Sequence, residues 1–225
     1  MIAASSALAL APSGHAGTVF SDDFTSEAPR FVADGPGFDA NYTDFGQWTV
    51  LQGNVDLIEG AIVNGGSSLQ SCGGDDYCVD LDGSADSGQN NPTSIIQTSL
   101  PLVLDPGTFY TAVLDISGDQ LANVTADIEV SFIGLFGDTL SSETFTLMPT
   151  NADTPSFQTL SSVFGPTDVS LAFLRLTLLG TNDFSGPILR SVHIDSAPVP
   201  VPAALPLFAA AVGGFGLRRR LQKKS

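Results

Sequence analysis

The body of this 225-residue chain contains no lysine. Both lysines and three of the six arginines lie in the last eight positions, leaving Arg30, Arg175 and Arg190 to face 24 acidic residues spread between Asp22 and Asp195. The body therefore carries a net charge of −21, against −16 for the whole chain. Nucleic-acid binding requires a basic footprint, so that class is excluded. Glutamate is also scarce: only four of the 24 acids are Glu and the rest are Asp. Asp favours turns and Glu favours helices, so with 23 Gly and 14 Pro the bias is toward many turns and little helix. Only His15 and His193 are histidines, and only Cys72 and Cys78 are cysteines. That inventory lacks the ligands of a zinc site, a Cys–His pair and a G-x-S-x-G nucleophile elbow. Two-carboxylate glycoside chemistry stays open, because it needs only two acids about 5–9 Å apart, but no motif selects such a pair.

Apolar residues make up 43% of the chain, which argues against disorder. Between residues 17 and 197 they form short runs divided by turn clusters. In "TFYTAVLDIS", Tyr110, Ala112, Leu114 and Ile116 share one face. In "VTADIEVSFIGLF", Ala126, Ile128, Val130 and Phe132 share one face, and Asp127, Glu129 and Ser131 share the other. A period of two marks a half-buried antiparallel strand. Further runs are "TVFSDDF", "FGQWTVL", "NVDLI", "YCVDLDG", "TSIIQTSL", "TLSSETFTLM", "SFQTLSSVF", "VSLAFLRLTLLG" and "PILRSVHID". "FGQWTVL" and "NVDLI" read as a hairpin across Gln52-Gly53. Around ten strands without helices predict an all-β fold, an antiparallel β-sandwich or jelly roll, with the phenylalanines lining its two inner faces.

The two ends have a different composition. Residues 2–11 are apolar, and Gly14 and Ala16 supply small residues before a cut after Ala16, so 1–16 reads as a secretory signal peptide. It lacks a basic n-region, which places the true start upstream or marks a truncation there. Near the other end, residues 203–217 are mostly apolar. As a helix they would span roughly 22 Å, short of a ~30 Å hydrocarbon core. Arg218, Arg219 and Arg220 would stay cytoplasmic and leave the acidic body outside. The tail opens Val199-Pro200-Val201-Pro202-Ala203, followed by the apolar span and then the arginines. That three-part order resembles the PEP-CTERM bacterial sorting tails in their VPLPA variant, with Val201 in place of the usual Leu. The resemblance makes 198–225 a sorting signal with a hydrophobic helix and basic tail. It implies export, transient inner-membrane retention and processing by an exosortase-type enzyme in a Gram-negative bacterium, in a setting of exopolysaccharide and biofilm. A plain C-terminal membrane helix is the alternative.

A looser resemblance covers most of residues 18–196. "WTVLQGNVDLI", "CVDLDGS", "IIQTSL…PGTFY" and "GPILRSVHI" resemble the galactose-binding-like jelly rolls of the DUF642 type. The resemblance implies a carbohydrate-binding or wall-associated module, frequently with a structural Ca²⁺. One departure is Arg190, which stands where the pattern commonly has Asp.

Several residues are candidates for chemistry. In an exported chain Cys72 and Cys78 are expected to form a disulfide, worth about 2 kcal/mol for so short a loop. For Ca²⁺, one candidate set is Asp80 and Asp82, in a run that also holds Asp75, Asp76 and Asp86, and a second is Asp22, Asp23 and Asp195. The plainer reading of Asp80 and Asp82 is a pair of solvated residues entering a turn at Gly83. For stacking on sugar rings the candidates are Tyr42, Trp48 and Tyr77. Trp48, inside a strand, is favoured as a core residue, and the two tyrosines are expected to be the more exposed. His193 alternates with Val192 and Ile194, which reads as structural.

The resulting expectation is an exported, non-enzymatic surface or matrix protein that binds extracellular polysaccharide. The rivals are a Ca²⁺-binding structural matrix protein and a carbohydrate-active enzyme.

Overall fold

The computed structural model describes residues 16–33, 37–64, 67–74, 77–83, 93–121, 124–166, 168, 170–179 and 186–198. The expected signal segment before Ala16, the sorting tail from Val199 on, and Asp75, Asp76 and Asp86 lie outside the described residues. Fifteen strands follow in chain order: β1 (Gly17–Asp22), β2 (Phe38–Asp39), β3 (Trp48–Gln52), β4 (Asp56–Glu59), β5 (Ala61–Asn64), β6 (Ser67–Ser71), β7 (Tyr77–Asp80) and β8 (Ile95–Thr98), then β9 (Leu102–Leu104), β10 (Thr108–Asp119), β11 (Ala126–Gly134), β12 (Thr139–Leu147), β13 (Phe157–Phe164), β14 (Ser170–Leu179) and β15 (Pro187–Pro198). The single helical element among the described residues is a 3-10 turn at Thr25–Glu27.

Two sheets form the sandwich. The seven-stranded sheet runs β13-β10-β15-β7-β4-β2, with β1 also paired to β15. The six-stranded sheet runs β12-β11-β14-β8-β3, with β9 also paired to β14. Every pairing is antiparallel. The alternation read from sequence holds in the long strands. Tyr110, Ala112, Leu114 and Ile116 of one sheet meet Ile128, Val130, Phe132, Leu174 and Leu176 of the other in one buried core. Each fully buried aliphatic or Phe side chain there contributes about 1.5–3 kcal/mol.

The expected hairpin across Gln52-Gly53 does not form. β3 pairs with β8 in one sheet, and β4 pairs with β7 and β2 in the other. The chain crosses between sheets there, so Trp48 and Leu57 enter the same core from opposite sides. Gly53 makes the corner at φ +72°, and a Cβ on it would sit 2.5 Å from the Ser94 hydroxyl. A corner of this kind carries the same turn residues as a hairpin, and its strands separate because each has a better partner elsewhere.

A third, two-stranded layer, β5–β6, lies on the outer side of the seven-stranded sheet. Beneath it Ile58, Ile62, Cys72, Cys78 and Ile188 form a second apolar cluster, with Phe38 and Phe157 packed against it. Cys72 and Cys78 form the expected disulfide, with Cα atoms 5.5 Å apart, and it ties the end of β6 to β7. Gln120 clamps the same hairpin by accepting from Ser71 N (2.7 Å) and donating to Ser71 O (2.9 Å).

Candidate functional site

The outer face of the six-stranded sheet is built by the same alternation that fills the core. On β14, Ala172, Leu174, Leu176 and Leu178 turn inward and are buried. Phe173, Arg175 and Thr177 therefore turn outward, and each is half-buried. Strand register sets Thr49, Gln97, Arg175, Ser131 and Ser142 in one row across β3, β8, β14, β11 and β12. Four strand spacings make that row about 19 Å long. Arg175 donates from Nε (3.0 Å) and Nη2 (2.8 Å) to Gln97 Oε1, which fixes the guanidinium on the sheet. Thr49 and Ser99 hydroxyls lie 3.1 Å apart beside it.

The next row sets Thr177 between Ile95 and Glu129, with Thr144 beyond. Further along, Thr146 Oγ1 donates to Asp127 at 2.6 Å. In the other direction the cross-strand pairs become apolar, Phe173 with Ile133 and Leu171 with Val103. The face thus offers a fixed cation, the hydroxyls of Thr49, Thr177, Ser142 and Thr144, and an apolar flank, while Ser131 is buried with its hydroxyl on Arg175 O. Arg175 was not singled out in the sequence. Its position on the face depends on register with Gln97, a residue 78 positions away in the chain.

The sequence-selected aromatics sit elsewhere and are buried. Trp48 is a core residue: its Nε1 donates to Asp22 Oδ2 at 2.9 Å, and Phe20 packs edge-on at 5.5 Å. Tyr42 and Tyr77, expected to be exposed, are buried. The Tyr42 hydroxyl donates to the fully buried Glu27 at 3.0 Å, and Glu27 also accepts from Gly46 N (2.9 Å) and Arg30 Nη1 (3.1 Å). Burial and the Glu27 carboxylate hold the Tyr42 phenol protonated, above its ordinary pKa. Tyr77 donates to Glu59 at 3.1 Å, with Phe31 against its ring. Tyr42 is anchored to a carboxylate of the preceding 3-10 turn and Tyr77 to its cross-strand partner on β4.

The two aspartate sets differ in how their carboxylates are engaged. The strands β1 and β15 are neighbours, but Asp22 pairs with Val192 while Asp195 pairs with Thr18. Asp22 turns inward to Trp48 and Phe24 N, and burial raises its pKa. Asp195 turns outward, accepting from Thr18 Oγ1 at 2.7 Å, with His193 Nε2 3.5 Å away. Asp23 is engaged by Thr25 at 2.6 Å. These three carboxylates do not converge.

Asp80 and Asp82, read as solvated, are buried, and Asp56 faces Asp80 across β4 and β7. Asp80 Oδ1 accepts from the Asp82 and Gly186 amides, each at 2.9 Å, and Oδ2 accepts from Gln70 of the covering hairpin. Burial, and then the adjacent Asp56 charge, push the Asp80 pKa to about 8. A calcium ion needs six to eight oxygen ligands with lone pairs to spare. Asp80 gives its lone pairs to three donors, and among the described residues no group of three or more acids, histidines or cysteines is arranged to hold a metal. Among the described residues, neither Asp80 with Asp82 nor Asp22, Asp23 and Asp195 converges as a set of Ca²⁺ ligands. Arg190 explains the departure from the jelly-roll pattern: it pairs with Asp115 and lies 3.9 Å over the Phe157 ring, which closes the edge of the second apolar cluster.

No protein-family model and no curated protein matches the chain. Among solved structures, the xylan-binding domain CBM22-1 of Paenibacillus barcinonensis Xyn10C is similar at 12% identity, over 84% of this chain and 99% of that one, with a TM-score of 0.46. An arabinose-bound GH51 α-L-arabinofuranosidase is similar at 11% identity over 71% of this chain, with a TM-score of 0.44, and the chain spans about a quarter (24%) of its length. The module TmCBM61, solved with β-1,4-galactotriose, is similar at 13% identity, over 68% of this chain and 90% of that one, with a TM-score of 0.39. At scores below 0.5 these likenesses bear on neither ligand nor activity.

Proposed function

We propose that this is an exported, non-enzymatic binding protein of a Gram-negative cell surface or extracellular matrix, and that the outer face of its six-stranded sheet takes extracellular polysaccharide. The observation that carries the reading is the in-register row Thr49–Gln97–Arg175, with its guanidinium held by Gln97 and with Ser142 beyond the buried Ser131. A sugar chain presents hydroxyls along its edges and C–H patches on its faces. Donors and acceptors already fixed on a sheet lose little conformational freedom when they bind it. The apolar flank at Phe173, Leu171 and Val103 supplies the complementary surface. The strongly acidic body repels anionic polymers, so the favoured ligand is a neutral polysaccharide. In this reading the tail from Val199 to Arg220 is handled by an exosortase-type enzyme after transient inner-membrane retention.

The test is affinity electrophoresis in neutral polysaccharides, preceded by a glycan array. Arg175→Ala is expected to weaken binding at least about tenfold, roughly 1.4 kcal/mol, while Thr111→Ala on the opposite sheet leaves it unchanged. Equal retardation of both variants would remove the face from the reading. The rival, a matrix protein that collects Ca²⁺ on its acidic surface, is favoured by the net charge of −21 over the body, three arginines against 24 acids. An array without binders, together with Ca²⁺-dependent association in light scattering, would select it.

A further inference from the structure

One pole of the sandwich gathers both the exit of the chain and a rim of exposed apolar side chains. β15 ends there at Pro198, opposite Thr108 at the start of β10. β13 ends at Phe164 beside Tyr110 on the same pole. β14 begins there at Ser170, opposite Leu104, and β11 ends there at Gly134, opposite Ala172. At these strand ends Phe109, Val163, Leu171, Val103, Leu135 and Phe136 are exposed. Phe136 is 98% exposed at the tip of the β11–β12 turn, where Gly137 N closes on Gly134 O at 2.9 Å. Between the two sheets at this pole a cleft of about 430 Å³ opens beside Leu140 and Phe164. Soluble proteins scatter exposed apolar residues singly, and a set of this size at one pole signals something that covers it.

We propose that this pole is a lipid-facing surface: while the tail is membrane-inserted, the rim from Phe109 to Phe136 rests in the headgroup region. The inference rests on the membrane-retention part of the proposed function. The chain beyond the sandwich identifies the occupant. From Pro198, four residues (199–202) lead to the apolar run 203–217, which the arginines follow. Four residues span at most about 14 Å even when fully extended. With the apolar run in the bilayer, the pole carrying Pro198 is therefore held at the interface, and the opposite pole is held away from it. Apolar and aromatic side chains at that depth replace contacts with water by contacts with acyl chains. The acidic body selects a zwitterionic surface over an anionic one.

The experiment uses the full chain reconstituted into phosphatidylcholine vesicles, with brominated acyl chains as the contact quencher. Phe136→Trp places a reporter on the rim, and Met148→Trp, at a 65% exposed site on the opposite pole, is the control. Trp48 is buried and contributes the same background to both. The expected result is that the emission added by Phe136→Trp is lost in brominated vesicles and that added by Met148→Trp is retained. Flotation of the vesicles reports tail insertion independently. A chain that floats without rim quenching, including one that instead pairs its rims in a dimer, overturns the orientation and leaves membrane retention standing. Quenching at both poles alike also overturns it. A chain that does not float overturns both.

Discussion

The two outer faces of this sandwich obey one alternation rule and meet different fates. On the seven-stranded sheet the outward residues at one end are Ile58, Cys78 and Ile188, and a hairpin covers them. On the six-stranded sheet the outward residues are Gln97, Arg175, Thr177 and Glu129, and they remain half-buried at the surface. Apolar outward residues recruit a further layer, and polar ones keep a face open to solvent. The covered face also has a cost. Asp56 and Asp80, outward on the same strands as Ile58 and Cys78, are carried under the hairpin with their neighbours. The cost is met by hydrogen bonds from Gln70 and two amides and by keeping a proton on Asp80.

This contrast can be broken most sharply by pH. Asp80 moves from an ordinary 3.8 to about 8 on folding. The folded chain therefore keeps a proton that the unfolded chain releases near pH 4, and the contribution of Asp80 to stability falls as pH rises from about 4 to about 8. One proton sets a slope of about 1.4 kcal/mol per pH unit in that window. Urea midpoints at pH 5 and pH 8 are expected to show wild type weaker at the higher pH, with Asp80→Asn levelling the difference once the Gln70 amide flips to match. A wild-type midpoint that climbs over this range would mean the covered face holds an ionised Asp80. The next effect is smaller. Replacing both cysteines by serine releases the hairpin at Cys72 and is expected to cost about 2 kcal/mol in the same titration. An unchanged midpoint would show that Gln120 and Arg190 hold the cover alone. The smallest effect belongs to the open face. Thr144→Ala is expected to shift stability by no more than about 0.5 kcal/mol, and a larger loss in thermal unfolding would reveal a layer on this face too.

The sequence carried the long strands because they are half-buried. β14 alternates along its length, β10 and β11 alternate over their first halves, and their inward residues form the core that period-two reading selects. Where a third layer exists the period disappears: all four residues of β7 are buried, Tyr77 to Asp80, so Asp80 looked solvated only because its neighbours gave no sign of the cover. The cover itself had a local signal, Asn64-Gly65-Gly66 between two short β-prone runs, which is a hairpin signature. The face proposed for binding was not legible. A single arginine in an apolar strand gains its meaning from cross-strand neighbours, and those lie tens of residues away. Burial of Trp48 was legible, but its Asp22 partner, 26 residues earlier, was not. Tyr42 and Tyr77 were misplaced for a related reason: a loop position suggests exposure, yet the Tyr42 hydroxyl is held by the buried Glu27, and Tyr77 lies on β7 opposite Glu59.

The position of β15 also governs timing. This strand, the last among the described residues, lies inside the seven-stranded sheet and serves β10, β7 and β1 together. A chain delivered from its N-terminus leaves those three strands with open edges until residues 187–198 arrive. Their pairings also span long stretches of sequence, as between Gly17 and Ser196, which makes closure slow. In any vectorial delivery, whether from a ribosome or through a membrane pore, the sandwich cannot lock before its final strand is free. The residues that follow Pro198 are then only a few steps behind, so the handling proposed for the tail would fall in the interval in which the body folds.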